Sequence, residues 1–142
     1  MPISWEFYFL GIAELSSQRS KDPHTQVGAC IVNPDNKIVG VGYNGMPKGL
    51  DDKFTWEKEG SPNKYKFVVH AELNAILNSI NIKDLKGCTI YTTLFPCSEC
   101  AKAIVQSGIT GVVYLSDKKE GTEDNKAAKY ILDTCGVNYR KF

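Results

Sequence analysis

The chain has almost no excess charge: 17 Lys and Arg against 16 Asp and Glu leave a formal net charge of +1. A surface this neutral makes no electrostatic case for a dedicated nucleic-acid binder. No apolar run approaches the roughly 20 residues needed to cross a bilayer, so no membrane span is predicted. The first residues, Met1-Pro2-Ile3-Ser4-Trp5-Glu6, lack the basic stretch and apolar block of a secretory signal. Without such a signal the five cysteines predict free thiols in a reducing, cytoplasmic setting rather than disulfides. Repeats, linkers and low-complexity segments are also missing. What is present, 142 residues of 42% hydrophobic and 23% charged composition, suits one domain, residues 1–142, with a real core.

Histidine is scarce, with only His24 and His70. His24 lies in a polar connector, Arg19-Ser20-Lys21-Asp22-Pro23-His24, and reads as a loop residue. His70 opens the segment His70-Ala71-Glu72, and 26 residues later comes Pro96-Cys97-Ser98-Glu99-Cys100. Each segment reads as the first turn of a helix. Leu73, Ala75, Ile76, Leu77 and Ile80 continue the first at helical spacing, predicting a helix over 70–81. Ala101, Ala103, Ile104 and Val105 continue the second to a stop at Gly108. Cys97 and Cys100, three apart, share one helix face. A helix N-terminus favours thiolate over thiol.

His70, Cys97 and Cys100 make three ligands. Zn²⁺ prefers four in a tetrahedron, and catalytic sites leave the fourth place to water. No further Cys or His stands at the spacing of a closed structural site. Glu72, two residues past His70, is poorly placed to bind the same ion and well placed to face the water. Glu99 reads as a helix-dipole carboxylate or a solvated residue. Cys30, Cys88 and Cys135 read as small buried hydrophobes.

Along the chain, residues 5–19 form an amphipathic helix with Trp5, Phe9, Ile12, Ala13, Leu15 and Ser16 inward, its aromatics packed in the core. Strands over 26–33 and 38–43 flank the turn Pro34-Asp35-Asn36-Lys37 and make an antiparallel hairpin. Residues 45–66 lack periodicity and read as a lid or substrate wall, or as a surface excursion. Strands at 88–92, 112–115 and 137–139 alternate with the cysteine helix and a closing helix at 125–134 that Gly136 caps. The pattern predicts a mixed five-stranded sheet with helices on both faces. Right-handed crossovers then bring the starts of the two ligand-bearing helices together at one sheet edge.

The H-x-E and P-C-x-x-C pair resembles the signature of zinc-dependent nucleobase deaminases, in which the Glu is a non-ligand acid/base. The likeness extends over nearly the whole chain. Arg19-Ser20-Lys21-Asp22-Pro23, Gln26-Val27-Gly28-Ala29-Cys30, Gly42-Tyr43-Asn44-Gly45-Met46-Pro47, His70-Ala71-Glu72-Leu73-Asn74, Phe95-Pro96-Cys97-Ser98-Glu99-Cys100 and the end Arg140-Lys141-Phe142 resemble the deoxycytidylate (dCMP) deaminase family.

That resemblance implies the three-layer α/β/α cytidine-deaminase-like fold and the reaction dCMP + H₂O → dUMP + NH₃, in thymidylate supply. It implies a homohexamer, activation by dCTP with Mg²⁺ and inhibition by dTTP, with the effector at Gly42, Tyr43, Asn44 and Gly45. Asn44 and the backbone at Ala71 are candidate contacts to the nucleoside. Arg19, Lys118 and Lys119 are candidates for the phosphate dianion, which needs cationic partners. Three alternatives stay open: a deaminase of free cytidine, a tRNA- or DNA-editing deaminase, and a non-catalytic zinc module.

Overall fold

A computed structural model of the chain describes residues 1–50, 56 and 64–142. The hairpin forms as expected, with β1 (Gly28–Val32) antiparallel to β2 (Ile38–Tyr43). Asn36 closes its turn at φ +61°, in the left-handed region that Asn tolerates. The Asn33 side-chain oxygen accepts the N–H groups of Asp35 and Lys37 at 3.0 and 2.9 Å. Three further strands, β3 (Thr89–Leu94), β4 (Gly111–Ser116) and β5 (Asn138–Lys141), complete one sheet of order β2-β1-β3-β4-β5. Strand β1 is antiparallel to β3, whereas β3, β4 and β5 run parallel. The sheet is therefore mixed and five-stranded.

Residue parity sends alternate side chains to opposite faces. Cys30, Val32, Tyr91 and Val113 meet Phe9, Leu10 and Ala13 of α1 (Trp5–Ser17) on one face. Ala29, Ile31, Ile90 and Val112 pack on the other face with α2 (Ala71–Leu77), α3 (Ser98–Ser107) and α4 (Glu123–Thr134). Every residue of β1 is buried, as a strand covered on both faces must be. No helix among the described residues is long and apolar enough to cross a membrane.

Several expectations need correction. Trp5 and Leu15 do not face inward; they are 58% and 63% exposed, and Leu10 takes the inner place. Phe9 is buried as expected, but Trp5 only stacks on its outer side. Apolar residues occur nearly all round α1, so periodicity alone does not fix its rotation. Contact does. A Cβ on Gly28 would lie 1.8 Å from the Ala13 carbonyl oxygen, so the missing side chain lets that turn of the helix rest on β1.

Helix α2 ends at Leu77 rather than at 81, leaving Leu77 and Ile80 exposed. Ser79 Oγ turns back to the Ile76 carbonyl, and Asn81 caps the following 3-10 helix, Ile82–Leu85. Cys30 and Cys88 are buried, but Cys135 is exposed because it ends α4. Gly136, at φ +77°, follows it; the N–H groups of Gly136 and Val137 return to the carbonyls of Asp133 and Leu132. The lid reading of residues 45–66 falls largely on 51–55 and 57–63, which lie outside the described residues.

Candidate active site

His70 is the N-cap of α2 and Cys97 the N-cap of α3, both in extended backbone with no side-chain capping bond. Both side chains are thereby left for other work. Their helices start side by side, and the three donors converge. Cys97 Sγ lies 3.2 Å and Cys100 Sγ 3.4 Å from His70 Nδ1. All three ligand atoms lie within 4.8 Å of one another. Tetrahedral zinc with Zn–S near 2.3 Å and Zn–N near 2.0–2.1 Å requires an N···S separation of about 3.5 Å. The donor set thus fits zinc in kind, number and spacing. Among the described residues no fourth His, Cys, Asp or Glu joins this group.

Helix α2 is held in place by small residues and amides. A Cβ on Gly42 would lie 2.4 Å from the Ala75 nitrogen and 2.6 Å from the Ala71 carbonyl oxygen, so α2 lies directly on β2. Asn74 and Asn78 donate to the Tyr43 and Val41 carbonyls at 2.8 and 2.9 Å. Helix α3 is fixed by Asp124, whose carboxylate accepts the Ser98 N–H at 3.1 Å and Ser98 Oγ–H at 2.6 Å. That carboxylate also suits the positive end of the helix.

The electrostatics favour a ready-made thiolate. The Cys100 thiol donates to the Cys97 sulfur, and against the cost of burial this bond and the His70 imidazole hold the Cys97 pKa down at about 4. Cys100, which keeps the shared proton and is buried beside Glu72, is pushed up. The Cys97 sulfur raises the His70 pKa, and burial and the Lys119 charge pull the other way. Glu72 is 4% exposed. Burial pushes its carboxyl up to about 7, with His70 opposing and the Cys97 charge adding. A carboxyl poised there can both take and give a proton near neutrality.

His70, Cys97 and Glu72 open onto a cavity of about 360 Å³. Asn44, Ala71, Lys118 and Lys119 also line it. The two lysines ride on a loop anchored by Asp117, which accepts from Asn125 and Lys129 of α4 at 2.7 Å each. Arg19 is not among the lining residues; its guanidinium carbon lies 5.9 Å from the Tyr43 ring centroid. Asn44 is engaged by the chain itself: its oxygen accepts the Val27 N–H at 2.8 Å and its amide donates to the Thr25 carbonyl at 2.9 Å. Gly42, Tyr43 and Gly45 lead up to the site, since Gly45 pairs with Val69, the residue before His70.

Sequence reasoning assigns Asp22, though within a family-like block, no place in the site and does not single out Lys64; the two line the same cavity as a buried ion pair at 2.6 Å. Asp22 left one local signal, since it accepts the His24 N–H two residues on, as Asp often does in turns. Lys64 left none.

The cytidine and deoxycytidylate deaminase zinc-binding region matches residues 3–116. The deoxycytidylate deaminase of Pongo abelii is 53% identical over 144 residues, covering 99% of this chain and 80% of that protein. That of Homo sapiens is 52% identical with the same coverage. The crystal structure of the dCMP deaminase from cyanophage S-TIM5, in complex with dCMP and dUMP, superposes with a TM-score of 0.81 at 29% identity, covering 100% of this chain and 99% of that one. Half-identity along almost the full length, on a fold that already assembles the donor set, makes this chain a deaminase of the cytidine and deoxycytidylate deaminase family.

Proposed function

We propose that the protein hydrolyses dCMP to dUMP and ammonia, with zinc held by His70, Cys97 and Cys100. The observation that carries the reading is the open three-donor set with a buried carboxyl beside it at one cavity. Zinc, when bound there, lowers the pKa of a water ligand toward neutrality. Glu72 takes one proton from the attacking water and delivers it to the ring nitrogen beside C4, then takes the second proton from the new C4 hydroxyl and passes it to the amine, which leaves as ammonia while the C4 carbonyl forms. Burial supports this role, because a carboxyl held near neutrality exchanges protons in both directions at little cost.

The rest of the cavity supports a nucleotide. Lys118 and Lys119 bring two exposed cations to its rim for the phosphate dianion. Ala71 and Asn44 form its wall beside the zinc donors, Asn44 by fixing the backbone of residues 25 and 27. Arg19, off the lining with its guanidinium carbon 5.9 Å from the Tyr43 ring centroid, is the third cation of the phosphate set. Residues 1–142 act as one catalytic domain in the cytoplasm, supplying dUMP to thymidylate synthesis.

Regulation by dCTP with Mg²⁺ and by dTTP belongs to the same reading. Effector binding at Gly42, Tyr43, Asn44 and Gly45 would act one residue from the zinc histidine, through the Gly45–Val69 pairing. Assembly into a homohexamer completes it. The test is ammonia release from dCMP, deoxycytidine, dCTP and single-stranded DNA, each with and without dCTP or dTTP as effector. A large preference for dCMP in kcat/KM is expected. Equal rates on dCMP and deoxycytidine would overturn the substrate assignment.

A further inference from the structure

Among the described residues seven polar side chains are buried. Four of them, Ser20, Asp22, Asn44 and Lys64, meet beside the cavity, and Asp22 is their hub. One carboxylate oxygen accepts the N–H groups of His24 and Thr25 at 2.8 and 3.2 Å. The other accepts the Lys64 ammonium at 2.6 Å and the Asn44 amide at 3.5 Å. Ser20 Oγ receives the Asp22 N–H at 3.3 Å. The Asp22 and Lys64 side chains are only 3–4% exposed.

A buried ion pair is a poor way to stabilise a fold, because desolvating both charges offsets most of their attraction. What it does supply is geometry, and here the geometry leads to one place. The Lys64 carbonyl accepts the N–H groups of Phe67 and Val68 at 3.1 and 2.8 Å, closing a turn. The next residue, Val69, exchanges both backbone bonds with Gly45 at 3.0 and 2.7 Å. After Val69 comes His70. On the other side Asn44, which Asp22 also holds, immediately precedes Gly45. A single carboxylate therefore joins the two segments whose pairing sets the entry to α2.

We propose that Asp22 and Lys64 are positioning residues for the metal centre: their buried pair locks the backbone that delivers the His70 imidazole to the two cysteine sulfurs. The inference rests on the assignment of His70 as a zinc ligand. Partners that orient metal ligands from behind are worth about 10–100-fold in metal affinity or activity.

The test compares wild type with Lys64→Met, Lys64→Arg and the double variant Asp22→Asn/Lys64→Met. Zinc affinity is read by competition with a chromophoric chelator. Tm, and kcat and KM on dCMP and deoxycytidine, are measured in parallel. Lys64→Met is expected to weaken zinc binding about 10–100-fold and to lower kcat equally on both substrates. Lys64→Arg should restore most of both. The double variant, which strands no charge, should regain Tm but not zinc affinity, and so decides the matter if Lys64→Met fails to fold. A fall in Tm with zinc affinity unchanged would overturn the proposal. So would a rise in KM confined to dCMP, which would make Lys64 a reader of the phosphate. Failure of wild type to bind one zinc per chain would instead sink the parent assignment, and this one with it.

Discussion

Replacing Glu72 by Gln separates metal binding from proton transfer at a cost in volume close to zero. Glu72 lies outside the three-donor group, so the variant should hold zinc at about one per chain with affinity near that of wild type. Burial disfavours the charge of this carboxyl, so a neutral amide in its place removes a burial cost and should not lower Tm. Catalysis is another matter. In the proposed mechanism Glu72 carries protons to two acceptors, the ring nitrogen and the amine, and general acid–base catalysis by a positioned side chain is worth about 10²–10⁴ in rate. A loss of about 10⁴ in kcat corresponds to about 5.4 kcal/mol of barrier. The assay is steady-state dCMP turnover, normalised to zinc measured by atomic absorption on the same sample. Turnover within tenfold of wild type at one zinc per chain would refute the role, whatever the fate of the other residues.

Three further outcomes bear on the metal and the scaffold. Thiol titration of the native zinc protein should find one fast-reacting group, the exposed Cys135, while burial holds Cys30 back with a pKa pushed up to about 12. Chelation should stop turnover and release Cys97, whose pKa is held down at about 4, to the reagent, while Cys100 stays slow because it is buried and its pKa is pushed up, and zinc should restore both readings; two fast thiols before chelation would contradict the ligand set. For Asp22, burial raises the pKa, but Lys64 and the N–H groups of His24 and Thr25 outweigh it, leaving the folded value below the ordinary 3.8. A depressed folded pKa contributes stability above the unfolded value and loses it as pH falls through the folded one, so denaturant unfolding of wild type should weaken more steeply below pH ~4 than that of Asp22→Asn. Gly42→Ala sets a Cβ 2.4 Å from backbone that cannot swing aside; about 3 kcal/mol of destabilisation is expected, with weakened zinc binding because α2 must lift. A variant of unchanged Tm and zinc content would show that α2 does not depend on that contact.

The three-donor cluster and its neighbouring carboxyl were legible because their parts are local. His70 and Glu72 lie two apart, Cys97 and Cys100 three apart, and each pair starts a helix whose apolar spacing declares it. Strand positions were legible for the same reason, since β1 and β2 flank a turn of strong local preference. What depends on distant partners was not legible. Asp22 and Lys64 meet across 42 residues of sequence, and nothing near either announces the other. The rotation of α1 could not be read from a helix apolar on nearly every side; it is set by the bare backbone of Gly28 against Ala13, an arrangement that periodicity does not encode. The end of α2 lies earlier than the apolar spacing predicts because Ile80 keeps the helical pattern after Asn78 and Ser79 have ended the helix.

These two kinds of information divide the labour of the site. Local spacing chooses the donors, and long-range contacts decide whether the donors meet. Zinc ligation tolerates errors of only about 0.2 Å in bond length, so two helix starts supported by different strands must be held more tightly than side-chain packing alone provides. The chain meets that demand from three directions. Gly42 lets α2 touch β2, Asp124 fixes the start of α3, and the Gly45–Val69 pairing fixes the residue before His70. Each acts on backbone, which leaves the imidazole and the sulfurs available to hold a metal. The absence of any capping bond from His70 or Cys97 then has a physical reason: at both helix starts the side chain that would ordinarily satisfy an N–H is turned toward the three-donor cluster, and for Cys97 the carboxylate of Asp124 supplies the missing acceptor at Ser98.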